Sequence, residues 1–179
     1  MTSWITRAAI AGAVTMAMLA QGALAQDATG QSDNLVATKT DWSVFTEEDP
    51  KECWGVSSPK ETVNTRDGAP VSVKRSDILL FVTFRPGQAA GETSFTGGYP
   101  FAPGSNVSLN VDGTRFELVT DGEWAWASSL DEDAKVLAAL QKGGSAVLTA
   151  KSAKGTQTQD TFSLRGFTAA MAEAGTRCK

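Results

Sequence analysis

Cys53 and Cys178 are the only thiols in the chain, and their chemistry depends on the compartment that holds them. In an oxidising compartment an even pair is most simply one disulfide, with two buried thiols or an intermolecular bridge as the alternatives. The spacing excludes a CxxC redox pair. An intramolecular bridge would close a loop of about 126 residues and, on the chain-entropy model, stabilise by roughly 5 kcal/mol at most. Histidine is absent from the whole sequence. No Ser/His/Asp or Cys/His triad and no His-bearing zinc site can therefore be assembled. If the cysteines are paired, no thiol nucleophile remains. The phosphate-cradling patterns GxxxxGK-Ser/Thr and GxGxxG, and the nucleophile elbow GxSxG, are missing as well. Carboxylate chemistry is what is left. Glu47-Glu48-Asp49 precedes Pro50 in a turn, and Asp131-Glu132-Asp133 falls in the first turn of a helix, where the dipole favours acids. Both read as solvated or capping groups, and neither has the spacing of a calcium loop. No catalytic residue, metal or cofactor is expected.

Trp124 and Trp126 are the other residues with binding chemistry. They alternate by two, so both point to one face of a strand. A tight hairpin at Asp121-Gly122 would oppose Trp124 to Val119 and Trp126 to Glu117, on the face away from Phe116 and Leu118. The expectation is that the core or a helix covers them. The alternative is an exposed aromatic platform that stacks on a sugar or docks a partner, with Arg115 and Glu117 nearby. Trp42 and Trp54 read as core residues, Trp54 beside the disulfide.

The elements that must position these groups are mostly short strands. From Asp41 onward DWSVFT, ECWGVSS, ETVNTR and DILLFVTF are β-type runs broken by turn residues. Ile78 to Phe84 is the most apolar of them and reads as a strand buried on both faces. The Gly/Pro-rich stretch from Pro86 to Pro103 reads as a loop with at most a short strand at Glu92–Thr96. NVSLNV-DG-TRFELV is the clearest signal. Asp112-Gly113 suits a two-residue turn with positive φ at both positions. That turn sets Val111 against Thr114, Leu109 against Phe116 and Val107 against Leu118, all on one face. Glu123–Ser128 folds back as a third strand. SSLDEDAKVLAALQKGG then changes to helical period. Ser129 and Glu132 form a capping box, Gly143 is the stop, and Leu130, Ala134, Leu137 and Ala138 make the expected buried stripe. The strands SAVLTAK and TQTQDTFSL and a short helix over 168–174 lead to Cys178. Eight or nine short strands with two small helices predict an all-β, antiparallel sandwich.

The first 25 residues predict export. Arg7, an apolar run over Ala8 to Ala20 and the small residues Ala23 and Ala25 form a signal peptide cleaved after Ala25. The run is about 13 residues, short of the roughly 20 a spanning helix needs. No Cys follows the cleavage site to carry a lipid. The organisation expected is a signal peptide over 1–25, a flexible leader over 26–39 and one domain over 40–179. The chain is net acidic, with formal charge −4. That argues against nucleic acid, which needs a net basic face. No later segment is long and apolar enough to span a membrane.

DWSVF and ECWGVSSP at the start of the domain, and DTFSLRGFTAAMAEAGTRC at its end, resemble the invasion-associated locus B (IalB) family of small exported alphaproteobacterial proteins. The resemblance runs from about Thr40 to Cys178. It implies an immunoglobulin-like β-sandwich, a periplasmic or envelope location and, in pathogenic members, an association with host-cell invasion. It carries over no catalytic residues. The function expected is binding to another protein or envelope component, without catalysis. A glycan- or small-ligand-binding module using Trp124, Trp126, Arg115 and Glu117 is the alternative.

Overall fold

A computed structural model of the chain describes residues 34–88 and 90–179. The chain runs through β1 (Leu35–Lys39), β2 (Trp42–Glu48), β3 (Lys51–Ser57), β4 (Glu61–Arg66) and the two-residue β5 (Ala69–Pro70). There follow β6 (Leu79–Phe84), β7 (Glu92–Thr96), β8 (Asn106–Val111), β9 (Thr114–Asp121) and β10 (Trp124–Ala127). Helix α1 (Leu130–Lys142), β11 (Ser145–Lys151), β12 (Gln157–Ser163) and helix α2 (Phe167–Arg177) complete the described order. All strand pairings are antiparallel, in the order β1-β2-β3-β6-β7-β10-β9-β8-β11-β12-β4-β5.

This ladder folds over on itself. Phe95 of β7 and Phe162 of β12 stand five places apart in it, which in a flat sheet is about 24 Å at the usual strand spacing. Their ring centroids are 6.2 Å apart. Trp42 of β2 likewise reaches across, donating its indole N–H to the carbonyl of Ser163 at 3.0 Å. The two halves of the sheet thus face one another over a shared core that includes Leu80, Val82, Phe95, Leu109, Leu118, Leu148 and Phe162. The fold is all-β and antiparallel with two helices, as expected, and its packing is sandwich-like.

The first hairpin forms in the expected register. Asp112 and Gly113 take φ of 45° and 97°, and Val111, Leu109 and Val107 face Thr114, Phe116 and Leu118. The Asp112 carboxylate also accepts the Gly144 N–H at 2.6 Å, so the turn residue fastens the junction of α1 with β11. The second turn is displaced by one residue. Its tip is Gly122-Glu123, so Trp124 pairs with Asp121 and Trp126 with Val119 rather than with Val119 and Glu117. Gly122, at φ 59°, takes the first central position, the place that a type II′ turn reserves for glycine. The pairing moves by two residues, so the tryptophans keep their face.

Other expectations are corrected. The segment read as a flexible leader ends in β1, which pairs with β2; residues 26–33 and the signal segment lie outside the described residues. β6 is buried on one face only: Leu80 and Val82 are inside, while Leu79 and Phe81 are half-buried outside. The buried stripe of α1 is Asp133, Val136 and Leu140, and Leu130 is 70% exposed. The reason is a polar anchor. Asp133 accepts the buried N–H of Thr93 at 2.8 Å, which rolls the helix away from the purely apolar face. Ser129 caps α1 by accepting the Glu132 N–H at 3.2 Å, but the Glu132 carboxylate turns to Lys135 at 2.6 Å and leaves the box half closed.

Candidate functional site

Strand alternation sorts β2, β3, β6, β7, β10 and β9 into an inner row of core residues and an outer row. The outer row carries Phe45, Trp54, Val56, Leu79, Phe81, Trp124, Trp126 and Val119. Cross-strand pairing aligns them: Phe45 with Trp54, Val56 with Phe81, Trp126 with Val119. Phe45 stacks on Trp54 with centroids 5.7 Å apart. Phe81 and Trp124 meet at 5.8 Å although β7 runs between their strands. They can meet because the β7 residues that lie between them on this side, Ser94 and Thr96, are small.

Trp124 is 43% exposed and Val119 38% exposed, while the rest of the aromatic band is half-buried. The contacts of the helices lie on the inner side. Phe167 packs edge-on against Trp42 at 4.8 Å, the Met171 methyl sits over Gly55, and Cys178 is bonded to Cys53. Among the described residues, no helix covers the outer aromatic band. A shallow depression of about 320 Å³ continues it at the Phe45, Val56 and Leu79 end, with the Lys60–Asp41 ion pair (2.7 Å) on its rim. The Lys60 ammonium, and then the Ser163 hydroxyl, hold the Asp41 carboxyl below its ordinary range. At another edge Arg85 bridges Glu52 at 2.5 Å and Glu92 at 3.1 Å. An apolar centre with a charged rim is the usual anatomy of a binding interface.

The residues singled out in the sequence fall as follows. Cys53 and Cys178 form the disulfide, buried, with Cα atoms 5.7 Å apart and a sequence separation of 125. It pins the end of α2 to β3. Trp42 is fully buried as expected. Trp54 is a correction: next to Cys53 in sequence, it points to the opposite face and joins the outer band. Trp124 and Trp126 share the outer face, Trp124 being the more exposed. Arg115 and Glu117 are exposed on the same face of β9. Glu117 lies diagonal to Trp126, and Arg115 sits one step further toward the hairpin tip.

A buried polar cluster was not legible in the sequence. Arg75, on the irregular stretch between β5 and β6, makes two hydrogen bonds to Asp160 of β12, at 2.8 and 2.6 Å. Its Nε–H goes to the Gly97 carbonyl at 2.8 Å. The guanidinium lies over the Tyr99 ring, 5.0 Å from its centroid, and the Tyr99 hydroxyl bonds Thr158. Both charged side chains are almost wholly out of solvent. Burial pushes the Asp160 carboxyl up while Arg75 pulls it back; the two-point geometry fits an ionised pair. The period-2 pattern of β12 alone places Asp160 on the core face with Phe162. Its partner lies 85 residues earlier, outside any strand, where no periodicity signals a contact.

Among the described residues, no helix is long and apolar enough to cross a membrane. The family model for invasion associated locus B (IalB) protein matches residues 42–175. A crystal structure of invasion associated protein B from Bartonella henselae superposes with a TM-score of 0.53 at 20% identity. The match covers 78% of this chain and 95% of that one, and at this identity it is a likeness of fold. No curated protein matches the chain.

Proposed function

We propose that this chain, which belongs to the invasion associated locus B family, is an exported envelope protein that acts by binding rather than catalysis. The partner in this reading is another protein, seated on the outer band of Phe45, Trp54, Phe81 and Trp124. The observation that carries it is the extent of that uncovered band. It crosses β2, β3, β6, β7 and β10, about 19 Å at ordinary strand spacing. That is wide for one sugar ring and suited to a macromolecular partner, whose binding energy concentrates in aromatic anchors. The disulfide supports export, since such bonds persist in oxidising compartments. The absence of histidine and the pairing of both thiols support a non-enzymatic role.

The glycan reading rests on Trp124, Trp126, Arg115 and Glu117. Trp124 leans on Phe81 rather than forming a platform with Trp126, and this favours the protein partner. Co-sedimentation with the native envelope fraction tests the choice. Phe81→Ser with Trp124→Ser should abolish it while leaving the inner core and disulfide formed. Retention at the wild-type level would sink the reading. A saturable shift of tryptophan fluorescence with a soluble envelope glycan would transfer the site to the glycan alternative.

A further inference from the structure

We propose that the chain also carries a binding site for a phosphoryl group borne on a small organic body. It lies in the pocket between the irregular stretch before β6 and the turn joining β11 to β12. This site is separate from the aromatic band and does not depend on its role.

The pocket holds about 370 Å³ and is lined by four cations, Arg66, Lys74, Arg75 and Lys154, and by no carboxylate. That is notable in a chain whose formal charge is −4. Arg75 is already neutralised by Asp160. Among the described residues, Arg66, Lys74 and Lys154 have no carboxylate within ion-pair distance. Three uncompensated cations in one concavity repel each other, and an anion seated among them relieves that repulsion.

The walls are built in advance. Arg66 donates to the buried Thr156 hydroxyl at 2.7 Å, which fixes its fork at the mouth and leaves its other N–H groups available. The stretch carrying Lys74 is tied by the Val71 N–H to Asn64 at 3.0 Å and the Ser76 N–H to Gly98 at 3.0 Å. The turn carrying Lys154 is tied by the Ala153 N–H to the Pro100 carbonyl at 2.9 Å. Between these donors, Tyr99, Val73 and Pro100 present an apolar wall. Few polar groups over an apolar wall, at this volume, describe a small-molecule site.

The donor set selects the anion. Three cationic groups on separate segments suit a tetrahedral dianion with three oxygens to share. A lone planar carboxylate is better served by one unobstructed Arg fork. The phosphoryl group could be that of a soluble sugar phosphate or of a lipid headgroup, since the contacts are the same.

Calorimetric titration of the purified chain with glucose 6-phosphate, glucose and glucuronate tests this. Co-sedimentation with phosphatidylcholine vesicles, with and without phosphatidic acid, is the second arm. Saturable binding of glucose 6-phosphate supports a soluble ligand, and binding only to phosphatidic acid vesicles supports a headgroup. In either case Lys74→Gln with Lys154→Gln should weaken binding about tenfold or more, since two charge-assisted contacts are lost. Its melting midpoint should hold, because both side chains are exposed. Lys51→Gln with Lys142→Gln, the same charge removed elsewhere, should leave binding within about twofold. No binding in either arm would overturn the proposal. So would glucose or glucuronate binding as tightly as the phosphate, or equal losses in the two double variants.

Discussion

Asp133 and Asp160 are two carboxylates removed from water by different means. Asp160 has an arginine against it. Asp133 has no cation against it among the described residues and accepts the Thr93 N–H at 2.8 Å; burial is the largest influence and the Glu92 carboxylate adds to it, so its carboxyl titrates above the ordinary 3.8. An acid whose folded pKa exceeds its unfolded one binds its proton more tightly in the native state. Asp133 therefore favours folding below pH 3.8 relative to neutral pH, and that contribution is lost as pH rises through its folded pKa. Asp133→Asn keeps a carbonyl oxygen for Thr93 and removes the charge. The melting midpoint at pH 7 should stay level or rise by a few degrees, and any gain should disappear near pH 4. A fall at pH 7 with no change at pH 4 would contradict the assignment. The sequence placed Asp133 in the first helical turn, where acids are ordinary, and gave no sign that it faces inward. The decisive contact is a backbone N–H 40 residues away, and backbone donors leave no mark on side-chain pattern.

The elements were most legible where two local signals agreed. The Asp112-Gly113 turn and the alternation on either side of it demand the same register, and that hairpin formed as read. The contrast between neighbours can be measured. Leu109→Ala should cost about 2–5 kcal/mol, because a fully buried side chain is truncated. Asn110→Ala should cost about 0.5–1.5 kcal/mol, the worth of the one hydrogen bond its Oδ1 accepts from the Gly113 N–H. Chemical denaturation of both variants checks this, and equal losses would mean that the strand is not half-buried. The second turn had one signal, the Asp-Gly pair, and the glycine settled one position away from where that pair placed it. β6 was misread for a physical reason. Apolar residues on both faces look the same in sequence whether the outer face is covered or is itself a contact surface. The apolar run with only one face buried is thus the clearest mark of the candidate site, visible once the neighbouring elements are in place.

At the scale of the whole molecule, one covalent link joins an early strand to the closing helix. Cys53→Ser or Cys178→Ser should lower stability by about 2–5 kcal/mol, read as a clear drop in the melting midpoint. A midpoint equal to the wild type would mean that the loop of 125 positions is held by packing alone. The sandwich-like closure was legible from the count of short strands, and the disulfide from the even pair of cysteines. Which face stays open was not. That depends on where α1 and α2 dock, and their docking is set by Gly55 under Met171, Phe167 on Trp42 and the Asp133 anchor. The open aromatic face is proposed as the surface where this protein meets its partner. Photo-crosslinking from position 124 within intact cells tests it most directly, with position 159 of β12 as the exposed control. One discrete adduct is expected from position 124, lost when Phe81→Ser is added, and none from position 159. No adduct from position 124, or the same adducts from both positions, would contradict it.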